Sequence, residues 1–159
     1  MCEKVLPKSY PGDLMTAAKK QAFPAHPEVP ISKAVRAGDF VFTSAYGHWT
    51  FDPAKVTYAD DGTVLDDGTA KANQDMPIAE QIHKTFDFVK QALAVAGCTL
   101  DDVVSSECWL SDPRDFVVFN AIYKTYFTKD PPVRSIFPMR FMFNCKVEVK
   151  VIAYKPLAG

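Results

Sequence analysis

Ile78, Ile82, Phe86, Val89 and Leu93 recur at steps of three and four residues, while Glu80, Lys84, Asp87 and Lys90 fill the other side. That spacing places the apolar side chains on one stripe of a 3.6-residue helix and predicts an amphipathic helix that stops at Gly97. A second regular pattern lies near the end of the chain. Val147, Val149 and Val151 alternate there with Lys146, Glu148 and Lys150, which is the period of a strand with one buried face, expected over residues 145–154.

The remaining elements fall between these two. Lys33-Ala34-Val35-Arg36-Ala37, a Gly38-Asp39 turn and Phe40-Val41-Phe42-Thr43-Ser44 read as a β-hairpin. Residues 103–110 are strand-like, and Asp112-Pro113 follows as N-cap and first position of a second helix, with Asp115 near its positive end. That helix is expected to bury Phe116, Phe119, Tyr123 and Phe127 and to halt before Asp130-Pro131-Pro132. Residues 133–139 form another expected strand. The order is β-β-α-β-α-β-β, an α+β domain over residues 30–159 with one mixed sheet and both helices on one face. Covering the opposite face calls for another copy of the same sheet, hence a homo-oligomer.

Two segments stand outside this pattern. Residues 1–29 carry Pro7, Pro11, Pro24 and Pro27 without a sustained period and are expected to form a surface arm, with a short helical turn fitting residues 13–20. Residues 47–73 are polar and turn-rich, and Val56-Thr57-Tyr58 and Thr63-Val64-Leu65 flank Asp60-Asp61-Gly62 as a small hairpin.

Composition narrows the function. A chain of 159 residues suits one domain and buries roughly two thirds of its unfolded surface, enough for a core without metal or disulfide. The net charge of −1 gives no basic field for nucleic acid. Cys2, Cys98, Cys108 and Cys145 form no C-x-x-C pair, and no apolar leader or stretch of about 20 apolar residues occurs, so a cytoplasmic protein with reduced thiols, off the membrane, is expected. His26, His48 and His83 are scattered, without the spacing of a zinc site.

Several motifs together resemble the YjgF/Rid (reactive intermediate deaminase) family, also described as L-PSP endoribonuclease-like. They are the hairpin Arg36-Ala37-Gly38-Asp39-Phe40-Val41-Phe42-Thr43-Ser44, the helix Gln81-x-x-x-Thr85-Phe86, and the helix Asp112-x-x-Asp115-Phe116-x-x-x-Asn120-x-x-Tyr123-x-x-Phe127. Pro132-Val133-Arg134-Ser135 and the final strand Lys146-Val147-Glu148-Val149-Lys150-Val151-Ile152-Ala153 complete them. The resemblance covers roughly residues 30–155. It implies a chorismate-mutase-like fold, a homotrimer with a central barrel and a pocket at each subunit junction, and cofactor-independent hydrolysis of enamines or imines such as 2-aminoacrylate. By the same resemblance Arg134 binds the substrate carboxylate and Glu148 places the attacking water, while Ser44, Asn120 and Ile136 line the pocket.

The implied roles suit the chemistry. A guanidinium offers two parallel donors to a carboxylate, and a carboxylate can hold and polarise a water beside an electrophilic imine carbon. Taken from residue type alone, Arg134 equally fits a surface ion pair, Glu148 a solvated sheet face, Asn120 a polar interface position and Ser44 a strand-end hydroxyl. His48 in Tyr46-Gly47-His48-Trp49 either lines the site or packs in an aromatic loop, and Cys145 reads as a buried structural thiol.

The chain also departs from the family pattern. Ile31 replaces a tyrosine, Ile136 a cysteine and Phe88 an asparagine, which points toward a larger or more apolar imine or an aminomuconate-like acid as alternative substrates. Two rival functions remain open on sequence. One is a non-catalytic trimer that binds small carboxylates or metabolites; the other is ribonuclease activity, against which the lack of a basic groove with stacking aromatics counts.

Overall fold

The period-two segment is strand β8 (Val147–Tyr154), and it lies in the middle of the sheet. The computed structural model describes residues 20–26, 29–48, 52–66, 68, 75–142 and 144–157. Before β8 come strands β1 (Gln21–His26), β2 (Val29–Ala37), β3 (Phe40–Thr43), β4 (Thr57–Tyr58) and β5 (Val64–Asp66). Helix α1 (Ile78–Ala94), β6 (Val103–Leu110), α2 (Phe116–Tyr126) and β7 (Val133–Pro138) follow.

Six strands form one mixed sheet in the order β1-β2-β3-β8-β6-β7, and β4-β5 form a separate hairpin. All neighbours in the large sheet are antiparallel except β6 and β7, which are parallel and joined through α2. A parallel pair needs such a crossover, and a helix supplies it. Val147, Val149, Val151 and Ala153 of β8 point into one apolar cluster with Ile82, Phe86, Val89 and Leu93 of α1 and Phe119 and Tyr123 of α2. Both helices therefore cover one face, as the sequence pattern predicts. Phe86 is the centre of this core, its ring 4.1 Å from that of Tyr126 and edge-on to Tyr123 and Phe127.

Buried polar groups tie the layers together. Gln81 of α1 is fully buried, and its Oε1 accepts a hydrogen bond from the Lys146 backbone N–H at 2.9 Å, fixing the helix to the entry of β8. Arg36 is buried too, donating to the carbonyls of Ala96 at 2.8 Å and Lys155 at 2.9 Å. A buried charge persists where it satisfies such carbonyls, so Arg36 closes the far end of α1.

Among the described residues, no helix covers the opposite face of the sheet. Phe40, Phe42 and Tyr154 on it are 44%, 39% and 44% exposed, and Lys150 pairs with Glu107 at 3.2 Å. Among the described residues, no helix is long and apolar enough to cross a membrane.

Three expectations are corrected. The surface arm of residues 1–29 gives way over residues 21–26 to strand β1, which extends the sheet beyond the expected order. Pro24 misleads the pattern: it sits where the register with β2 shifts, on an edge strand, where a missing N–H is tolerated. Residues 1–19, including the expected helical turn, lie outside the described residues. The second helix starts later than Asp112-Pro113 suggests, because Pro113–Asp115 form a 3-10 turn whose Asp112 cap accepts the Arg114 N–H, and α2 begins at Phe116. Phe116 consequently sits at the helix start, 41% exposed, instead of in the core.

Candidate active site

Strand β3 pairs with β8 up to Phe42 opposite Ile152, and the next pairing is Tyr46 with Val149. Three residues on one side thus face two on the other, which makes a bulge. The Thr43 hydroxyl fills the gap, accepting from the Val151 N–H at 3.0 Å and donating to the Val151 carbonyl at 3.2 Å. After the bulge the chain lies back on β8, where Tyr46 and Val149 exchange both backbone hydrogen bonds at 2.9 and 2.8 Å. Ser44 is held beside this crossing, its hydroxyl donating to the Ser32 carbonyl at 2.7 Å.

Gly47 makes the close approach feasible. A Cβ there would stand 2.7 Å from the Val147 carbonyl oxygen and 2.9 Å from Cγ of Glu148, both too near for any side chain. Glu148 itself is half-buried, and Oε1 of its carboxylate accepts the Cys145 thiol at 3.7 Å. Burial raises the Glu148 carboxyl above its usual range, and the thiol hydrogen bond opposes that rise. The Cys145 thiol is pushed up to about 12, by burial and then by the Glu148 charge, so it remains a protonated donor.

Ser44 and Glu148 line one cavity of about 380 Å³ together with Ile31, Met139, Arg140 and Met142. A second cavity of about 270 Å³ shares Ile31, Ser44 and Ala45 with it and continues to Tyr46, Gly47 and Phe88. The Phe88 ring stacks on Tyr46 at 6.5 Å and on His48 at 6.2 Å, and Nδ1 of His48 is buried without a hydrogen-bond partner among the described residues.

Arg134 lies elsewhere. Its Nη2 donates to Oδ1 of Asn120 at 2.9 Å, and its guanidinium stands 4.5 Å from the centre of the Tyr123 ring. Tyr123 in turn shares a hydrogen bond of 2.7 Å with Ser106 on β6. The ring face favours the cation and holds the planar fork in place. Ile136, two residues along the same face of β7, lines a third cavity of about 270 Å³ with Leu110, Pro113 and Phe116.

The five expected site residues therefore separate into two groups. Ser44 and Glu148 share one cavity, Arg134 and Asn120 share a hydrogen bond, and Ile136 lies beside the second pair. Registers across β6 put Arg134 level with Ser106 and Val151, on the helix face, and Glu148 level with Trp109, on the open face. One chain does not bring the guanidinium and the carboxylate together.

Several contributors escape the sequence reading. Gly47 has no special backbone conformation to announce it, and its role arises only from the packing of the 44–48 segment on β8. Cys145 is the buried thiol it was expected to be, yet it also donates to Glu148. Arg140, Met139 and Met142 come from a segment without periodicity; the apolar run after Pro138 was the available signal.

Comparison with known proteins agrees with this fold. The profile of the family described as Endoribonuclease L-PSP matches residues 20–155. A RutC family protein of Saccharolobus solfataricus is 33% identical over 129 residues, spanning 79% of this chain and 87% of its own. A rat protein named 2-iminobutanoate/2-iminopropanoate deaminase is 31% identical over 77 residues, covering 48% of this chain and 56% of its own. The crystal structure of a YjgF/YER057c/UK114 family member from Mycobacterium tuberculosis superposes with a TM-score of 0.63 at 22% identity, over 86% of this chain and 99% of that one. With a profile match over nearly the whole described chain and relatives of the same architecture, this protein belongs to the Endoribonuclease L-PSP family, the YjgF/Rid family.

Proposed function

We propose that this protein is a homotrimeric, cofactor-independent deaminase that hydrolyses reactive enamines or imines of amino acids to keto acids and ammonia. The observation that carries the reading is the division of the site into two complementary halves. Arg134 with Asn120 offers fixed, ring-backed donors for a carboxylate. Glu148 with Ser44 offers a carboxylate and a hydroxyl in a cavity, on the open face of the sheet. In a closed ring of copies, the edge strand β7 of one protomer brings its Arg134 half to the Glu148 cavity of the next.

The chemistry follows from those groups. An enamine takes a proton on carbon and becomes an imine, whose carbon is electrophilic. A water held by Glu148 attacks that carbon, its proton passing through the carboxylate to nitrogen. The C–N bond of the resulting carbinolamine breaks, ammonia leaves, and a carbonyl remains. A carboxyl raised above its ordinary value is better matched to shuttling a proton near neutral pH than an exposed one. The rat relative bearing the name of an iminobutanoate and iminopropanoate deaminase supports this class of reaction.

The test mixes purified protein with freshly generated imines and follows keto-acid formation against an Arg134→Ala control. Acceleration by the native protein and its loss in the control support the deaminase. A binding protein without turnover would instead give tight carboxylate binding and no acceleration across the panel.

A further inference from the structure

The cavity at Glu148 is larger and more apolar than a three-carbon imine requires. About 380 Å³ adjoins about 270 Å³ across Ile31, Ser44 and Ala45, within the size range of pockets for drug-sized ligands. Ile31 at the junction is 55% exposed, and Phe88, Met139 and Met142 expose large apolar surface along the same walls. Surface of this kind gains most when an apolar group covers it. The Phe88 ring, stacked on Tyr46, forms a flat wall at one end, and the unbranched methionines adapt to different shapes at the other. Ala45, small and exposed, leaves the junction between the two cavities open.

Resting on the composite site proposed above, we infer that the protein acts on imines of 2-amino acids with large branched or aromatic apolar side chains, in preference to the three-carbon imine. The carboxylate lies against Arg134 of the neighbouring copy, the imine carbon beside Glu148, and the side chain crosses Ala45 toward Phe88. Ile31 and Phe88 then set specificity.

Stable 2-keto acids probe this without turnover. Calorimetry compares pyruvate, 4-methyl-2-oxopentanoate and phenylpyruvate on the native protein and on Ala45→Leu and Phe88→Ala, each checked for an unchanged fold by thermal melting. The two bulky acids are expected to bind about ten- to a hundredfold more tightly than pyruvate, the gain of burying one large apolar side chain. Ala45→Leu, which blocks the junction, and Phe88→Ala, which removes the wall, each erase most of that preference. Equal or tighter binding of pyruvate, no binding of any of the three at millimolar concentration, or a preference untouched by both substitutions overturns the inference. Parallel assays with the imines of alanine, leucine and phenylalanine separate the two claims. Tighter bulky binding without turnover refutes the deaminase and leaves the ligand class standing, whereas turnover favouring the alanine imine does the reverse.

Discussion

Arg134 and Glu148 stand on opposite faces of one sheet, the first level with Ser106 and Val151 beneath α2, the second level with Trp109 on the open side. A guanidinium and a carboxylate so placed cannot grip the same small molecule within a single chain. On the proposed deaminase reading, the separation turns a question of chemistry into one of assembly, with Arg134 reaching Glu148 from another copy.

Glu148 gives the first prediction. Burial raises its carboxyl, so the folded chain holds the proton to a higher pH than the unfolded one. The stability linked to this group is fully present below the ordinary carboxylate range and is lost as pH rises through the raised value. Glu148→Gln therefore melts at a higher temperature than the native protein once pH exceeds the raised value, and at the same temperature below the ordinary carboxylate range. On the proposed mechanism turnover needs the ionised carboxylate, so the acid limb of kcat/KM lies above the usual range of Glu, and Glu148→Gln is inactive across the pH range.

The neighbours of Glu148 give the second. Gly47→Ala forces a Cβ against the Val147 carbonyl and Glu148 Cγ, which is expected to cost about 1–3 kcal/mol of stability and at least about tenfold in kcat, by denaturant unfolding and steady-state assay. Cys145→Ala removes the thiol hydrogen bond that lowers the Glu148 carboxyl, and the acid limb of the pH profile moves to higher pH.

Arg134 separates charge from geometry. Lysine keeps the charge and loses the planar fork that spans Asn120 and the Tyr123 face. Arg134→Lys is expected to lower kcat/KM roughly a hundredfold, the scale of one lost charge-assisted hydrogen bond, and Arg134→Ala to lower it further.

The open face predicts the oligomer. Phe40 and Tyr154 pack together at 5.2 Å on it, with Phe42 beside them, all substantially exposed in one chain. Sedimentation of the native protein should give three times 17.7 kDa. Phe42→Asp places a charge where the faces meet and should give a folded monomer without activity.

Much of this fold is legible in the sequence because its elements obey one period each. The stripe from Ile78 to Leu93 and the alternation through Val147, Val149 and Val151 both appear as buried faces. Strand β1 is hidden because Pro24 interrupts the pattern, and the pairing that rescues it lies across the sheet with β2. The outward direction of Glu148 can be read from β8 itself. The inward direction of Arg134 cannot: a charged residue points under α2 on an edge strand, and only Tyr123 and Asn120, from another element, explain why it is satisfied there. Gly47 and Cys145 likewise acquire their roles from tertiary contact with Glu148, which no local pattern encodes.

The most direct measurement mixes Arg134→Ala with Glu148→Gln after unfolding and refolding them together. If each site draws its arginine from one copy and its glutamate from the next, random assembly rebuilds about a quarter of the native sites. Recovery of about a quarter of native deaminase activity from two inactive parents is the predicted result. Activity that stays at the level of the separate variants contradicts a site shared between protomers.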